Sequence, residues 1–142
     1  MISVKHTPLY EQVLKEFNYE FGDVFVFKGY LISEISEGIN FTWEDHGNRI
    51  VEDVSKFIGG NGADIVYLSH RIHSYSVKPN GWVKFFKGNY ALKGYGVVGY
   101  SSKSFLNTLI ESLFFTQKIR RFNDLDAAVQ WATHDILTNA DS

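Results

Sequence analysis

Residues 63–82 read ADIVYLSHRIHSYSVKPNGW, and this stretch decides the fold because its character changes at one point. Ile65-Val66-Tyr67-Leu68 is an apolar run of strand length. From there the chain turns polar, through Ser69, His70, Arg71, His73, Ser74, Tyr75 and Ser76, until Pro79 and Asn80-Gly81 close it. The pattern predicts a buried strand over 64–68 that delivers a polar loop at its carboxyl end. In α/β proteins, that end of the sheet is where ligands and partners bind.

Working outward, Asp23-Val24-Phe25-Val26-Phe27 and 30–35 read as two strands around Lys28-Gly29, a hairpin signal. The second alternates polar and apolar side chains, so it is expected to be less uniformly buried than the later strands. Residues 9–16 suit one or two helical turns. Thr42 is placed to cap a helix over 43–58, with Ile50, Val54, Phe57 and Ile58 at helical spacing and Gly59-Gly60 as its stop. A short helix at 81–88 carries Trp82, Phe85 and Phe86. Residues 91–99 read as a central strand. Ser101 or Ser102 caps a helix over 103–115 whose stripe is Phe105, Leu106, Leu109, Ile110, Leu113 and Phe114, expected to pack on the sheet. A strand over 118–122 leads to a last helix with Leu125, Ala128, Val129, Ala132 and Ile136 inward. The order β-β-α-β-α-β-α-β-α predicts an α/β fold with a mixed, mostly parallel sheet of five strands.

The chain has 142 residues, 44% of them hydrophobic, enough for one domain with its own core. Residues 1–16 form an N-terminal extension of that single 1–142 domain. The net charge of −2 gives no general attraction for nucleic acid or anionic membrane. With no cysteine, disulfides, thiol catalysis and zinc–thiolate sites are excluded. The sequence presents neither a signal-peptide core nor a run of about 18 apolar residues. The expected setting is the cytoplasm, without integral membrane contact. The glycosylation triplet at Asn40 carries little weight in that setting.

One hairpin followed by three αβ units, over roughly 20–138, resembles the STAS domain and its SpoIIAA-like relatives. The closing segment RRFNDLDAAVQWA, residues 120–132, is similar to the end of SpoIIAA-like proteins, where a short strand ends in Phe and a capped helix carries Ala and Trp. The resemblance implies a non-enzymatic regulatory or protein-interaction module. In STAS anti-anti-sigma factors, a serine at the end of the third strand is phosphorylated to release a kinase. Ser74 and Ser76 are the positional counterparts, although Ser74-Tyr75-Ser76-Val77 has neither the Asp nor the Gly of the family turn. The fold is also distantly similar to lipid-exchange domains of the Sec14 type, which implies an alternative: a pocket for a small apolar, lipid-like ligand beside the 81–88 helix.

Several patterns invite an enzymatic reading and fail on placement. Residues 94–99, GYGVVG, match a dinucleotide fingerprint in letters. Such a site needs its glycines in the turn after a strand, whereas here Val97-Val98 is β-branched and the helix cap lies beyond Gly99. These glycines are expected inside the strand, where they let a helix approach. The run at 59–62, GGNG, follows a helix and lacks a Lys-Ser/Thr ending. His70 and His73 have no third metal ligand placed by spacing. Ser69-His70 has no nucleophile elbow. The carboxylate pairs Glu44/Asp45 and Asp124/Asp126 suit first helical turns. No catalytic residue, metal or cofactor is therefore assigned. Arg71 is the lone cation in the polar loop, suited to tying that loop down or to meeting an anion or ligand. Ser69, Arg71, His73, Ser74, Tyr75, Ser76 and Trp82 form the expected partner- or ligand-binding set. The partner is a protein or a second copy, a homodimer being the simplest self-association.

Overall fold

The structure is a computed structural model that describes residues 2–135. The expected inward position of Ile136 lies outside them.

The architecture is α/β, with a mixed sheet of six strands rather than five. Antiparallel β1 (Lys15–Tyr19), β2 (Gly22–Val26) and β3 (Tyr30–Ile35) form one side. Parallel pairings then run from β3 through β5 (Val66–Arg71) and β7 (Gly94–Gly99) to β8 (Arg120–Phe122). A separate parallel pair joins β4 (Asn40–Phe41) to β6 (Ser76–Val77). The extra strand is β1. Two 3-10 turns, Val4–His6 and Pro8–Gln12, precede it, so the expected helical turns end earlier than 16 and the chain then extends. In β1 only Phe17 and Tyr19 alternate toward the core, too short a signal to announce a strand.

β3 is buried along its whole length, polar residues included, because it lies between β2 and β5. The more consequential correction concerns β5. It does not end at Leu68 but continues through Ser69, His70 and Arg71, in register with Val97, Val98 and Gly99 of β7. Those residues are strand, not loop. Alternation then sends Ser69 and Arg71 to one face and His70 to the other.

One face carries Phe25, Ile32, Leu68 and Val98 under α4 (Leu125–Gln130) and the turn Trp131–Asp135. The opposite face is covered by three helices, α1 (Asn48–Ile58), α2 (Gly81–Lys87) and α3 (Ser102–Glu111). Thr42 Oγ1 accepts from the Asp45 amide 3.1 Å away to start the first of these through a π-turn, Trp43–Gly47. Gly59 stops it in the left-handed region at φ 72°. In β7 the glycines allow close approach: a Cβ at Gly96 would meet Leu68 at 2.9 Å and Trp131 at 3.2 Å, and one at Gly99 would overlap the Ser104 hydroxyl.

α3 is oriented opposite to expectation. Ser104, Thr108 and Glu111 face inward, while Phe105, Leu106, Leu109, Ile110, Leu113 and Phe114 are between 37% and 79% exposed. The stripe that reads as core lies on the surface, because Glu111 is drawn inward by Arg71.

Candidate functional site

A cavity of about 120 Å³ lies between the sheet, α1 and α2. Its walls are mostly aliphatic and aromatic, including Leu31, Val54, Phe41, Trp43, Trp82 and Phe85, with Ser55, Asn61 and Lys78 also on the lining. Glycine at 81 lets α2 start against Trp43, with room for no more than a methyl group between them. The ring of Trp82 packs at 4.8 Å from both Tyr95 and Phe115, which closes one side.

The polar end is built from strand positions that share a face. Arg71 donates through Nε to Ser69 Oγ at 3.1 Å and through Nη2 to Tyr95 Oη at 2.9 Å and Glu111 Oε2 at 2.5 Å. Glu111 Oε1 also accepts from Tyr95 Oη at 2.8 Å and from Trp82 Nε1 at 3.2 Å. Ser69 pairs with Tyr75 Oη at 2.9 Å, and that ring lies under the Arg71 guanidinium. The Arg71 and Glu111 side chains are 4% and 2% exposed, so this is a buried ion pair in a hydrogen-bonded cluster. Arg71 Nη1 is buried and has no hydrogen-bond partner among the described residues. A donor is left over.

Electrostatics keep the cluster in one ionic form. Burial opposes the charged guanidinium, but the electrostatic company of Tyr75, Tyr95 and Glu111 and the bond to Glu111 outweigh it, so Arg71 titrates well above its ordinary value. Burial first, then the Glu111 charge, pushes the Tyr95 phenol up; burial does the same for Tyr67. Neither tyrosine ionises near neutrality. The cluster offers one cation, one anion and neutral hydroxyls.

His70 belongs to the other face. Its Nδ1 lies 2.9 Å from Glu34 Oε2, and its Nε2 lies 2.8 Å from Tyr100 Oη. Ser69 and His70 therefore point away from each other, and they share no reaction centre. Glu34 also accepts from Ser3 Oγ at 2.5 Å and the Val4 amide at 2.9 Å, which ties the N-terminal turn to the sheet. His73 is exposed, near Glu37, and far in environment from buried His70. Among the described residues, no group of three His, Asp or Glu side chains is placed to hold a metal.

The expected site set is thus divided. Ser69, Arg71, Tyr75 and Trp82 converge on the cavity. His73, Ser74 and Ser76 are exposed. The Ser74 amide donates to Glu37 and Ser76 Oγ donates to Asn40 Oδ1. The polar loop expected from Ser69 to Ser76 is corrected in part: Ser69, Arg71 and Tyr75 are buried, and Arg71 is paired with Glu111. Sequence reading missed Glu111, Tyr95 and Trp43. Glu111 hides among the apolar letters of α3, and its partner lies 40 positions away; no local pattern links them. The lone cation at Arg71 was the one available signal.

No protein-family model, no curated protein and no solved structure matches this chain.

Proposed function

We propose that the protein is a binding protein for a small, neutral, largely apolar molecule. The ligand would occupy the cavity beneath α1 and α2 and place a carbonyl or hydroxyl acceptor on Arg71. The observation that carries this reading is the unpartnered Nη1 of a buried arginine that lines a largely apolar cavity. A buried donor without an acceptor is unfavourable by about 1–3 kcal/mol, so a ligand that supplies one gains on that account. The charge argument sets the ligand's class. Glu111 already neutralises Arg71, so a carboxylate would enter beside a second buried carboxylate, and the other cation of the lining, Lys78, is solvent-exposed, whereas a neutral acceptor adds no charge. Size sets the scale: a cavity of about 150 Å³ accepts benzene, and this one is of similar volume.

The reading is non-catalytic, because the acidic and hydroxyl groups at the polar end are already bonded to one another. A STAS-like interaction module acting through 69–82 has less support, since the exposed members of that set are His73, Ser74 and Ser76 and its SpoIIAA-like topology rests on element order.

The test compares acetophenone, ethylbenzene and benzoate by thermal shift and tryptophan fluorescence. Acetophenone should raise Tm and alter the emission, with ethylbenzene and benzoate at least about tenfold weaker, one missing hydrogen bond being worth about that. Val51→Trp, which fills the cavity from partly exposed α1, should abolish the response. Equal responses to acetophenone and benzoate, or none to any of the three, would refute the reading. Native mass spectrometry of the protein as purified reads a resident ligand directly.

A further inference from the structure

The overall charge of −2 conceals a local imbalance. Residues 101–122 contain Lys103, Lys118, Arg120 and Arg121 against one carboxylate, Glu111. That carboxylate is buried and paired with Arg71, so every charged side chain this segment exposes is positive. The same segment exposes Phe105, Leu106, Leu109, Ile110, Leu113 and Phe114 on one face of α3 and the turn after it. Scattered apolar residues on a surface need no explanation, but six large ones gathered on one helical face and the turn after it do. Two of the cations border that face, and Lys118, in the segment that follows, is exposed. The Arg121 guanidinium lies 4.2 Å from the centre of the Phe105 ring, and Lys103 stands in the first turn of the helix. Arg120, next in the strand, points to the other side of the sheet, over Trp131. The next carboxylates, Asp124 and Asp126, open α4, which packs on that other side.

From this geometry we infer that α3 is a membrane-surface element, laying its apolar face into the interfacial region of an anionic lipid bilayer with Lys103, Lys118 and Arg121 at the headgroups. An apolar helical face flanked by cations has the two features an interfacial helix requires: area to bury, and attraction for acidic headgroups. Among the described residues no helix is long and apolar enough to cross a membrane, so the mode is lying on the surface. A second copy of the chain is the competing occupant, and charge argues against it. A two-fold pairing of this face sets cations against the same cations of the other copy, with no exposed carboxylate in the segment to answer them. The inference rests on a face separate from the cavity and stands or falls independently of it.

The decisive experiment is co-sedimentation of the full chain with phosphatidylcholine vesicles, with and without phosphatidylserine. Binding should be at least about tenfold stronger to the vesicles containing phosphatidylserine, and raised salt should weaken it. Leu106→Glu with Leu109→Glu, both at exposed positions, should leave the circular dichroism spectrum unchanged and abolish sedimentation. Should that variant fail to fold, Lys103→Glu with Lys118→Glu probes the same contact without touching the apolar face, and it too should lose about tenfold or more. The inference is overturned if the wild-type chain stays in the supernatant with acidic vesicles, if it binds both vesicle types equally, or if a folded variant binds as well as the wild type. It is also overturned if sedimentation equilibrium shows a dimer that the leucine variant dissolves while vesicles capture nothing; the occupant is then a second copy.

Discussion

At the scale of single residues, Arg71 organises one whole side of the molecule. Four of its contacts, Ser69, Tyr75, Tyr95 and Glu111, come from three different elements and one loop. A lone arginine among hydroxyls was legible in the sequence as a site. Its burial was not, because the strand-forming signal fades after Leu68 and the pairing with β7 that extends β5 is a tertiary effect. Removing one partner of a buried pair leaves an uncompensated charge, usually unfavourable by about 3–5 kcal/mol. Glu111→Ala is therefore expected to lower the urea unfolding free energy by about that amount. Replacing both partners, Arg71→Met with Glu111→Leu, should recover most of the loss. It should not recover all of it, since Trp82 Nε1 and Tyr95 Oη also donate to Glu111. Additive effects of the two single changes would show that no coupled pair exists.

At the scale of elements, α1 and α3 had equally persuasive apolar patterns and opposite outcomes. α1 buries Ile50 and Val54. α3 buries Ser104, Thr108 and Glu111 and leaves its leucines outside. Periodicity identifies a helix and the width of its stripe, but it cannot say which face meets the sheet when the polar stripe has a buried partner waiting. The ion pair from Glu111 to Arg71 fixes the rotation, and Thr108 satisfies its own hydroxyl on the Ser104 carbonyl at 2.9 Å. Exposed leucines should then be nearly indifferent to truncation. Leu106→Gln is expected to change the unfolding free energy by no more than about 0.5 kcal/mol, whereas Val54→Ala loses about 1–3 kcal/mol. A large loss at Leu106 would show that the helix is turned the other way. The contact between β7 and α3 gives a second check on the same rotation. Gly99→Ala brings a methyl group onto the Ser104 hydroxyl, an overpacking expected to lose about 1–3 kcal/mol, and Ser104→Gly in the same chain should restore much of it. If Gly99→Ala is silent, Ser104 does not face the strand.

At the scale of the whole molecule, the sheet separates two polar centres that sequence reading had merged into one loop. Adjacent letters, Ser69-His70-Arg71, contribute to opposite faces because a strand alternates; a loop reading cannot make that division. The α/β class and the order of the helices and main-sheet strands from β2 to α4 were legible, since strands and helices alternate with clear caps; the two-residue strands β4 and β6 were not. The sixth strand was not, its signal resting on Phe17 and Tyr19 alone. On the face away from the cavity, Glu34 joins the N-terminal turn, β3 and β5 through Ser3, Val4 and His70. Burial would raise this carboxyl's pKa, but the hydrogen bonds from His70, Ser3 and the Val4 amide outweigh it and hold the group below the usual carboxylate range. The sign follows from linkage. A carboxyl with a depressed folded pKa binds protons more readily when unfolded, so its contribution is present above the unfolded value of about 4.3 and is lost as pH falls through the folded pKa. Urea midpoints measured from neutral pH into the acid range should decline for the wild-type chain below that value. Glu34→Gln, which keeps the shape but cannot ionise, should be less stable at neutral pH and should decline less steeply in acid. Because the same carboxylate holds the Val4 amide, the variant should also be cleaved faster by protease within the first turn at neutral pH. Parallel acid profiles for the two proteins would show that Glu34 titrates in the folded chain as it does in the unfolded one, and that the N-terminal turn is held by its apolar contacts alone.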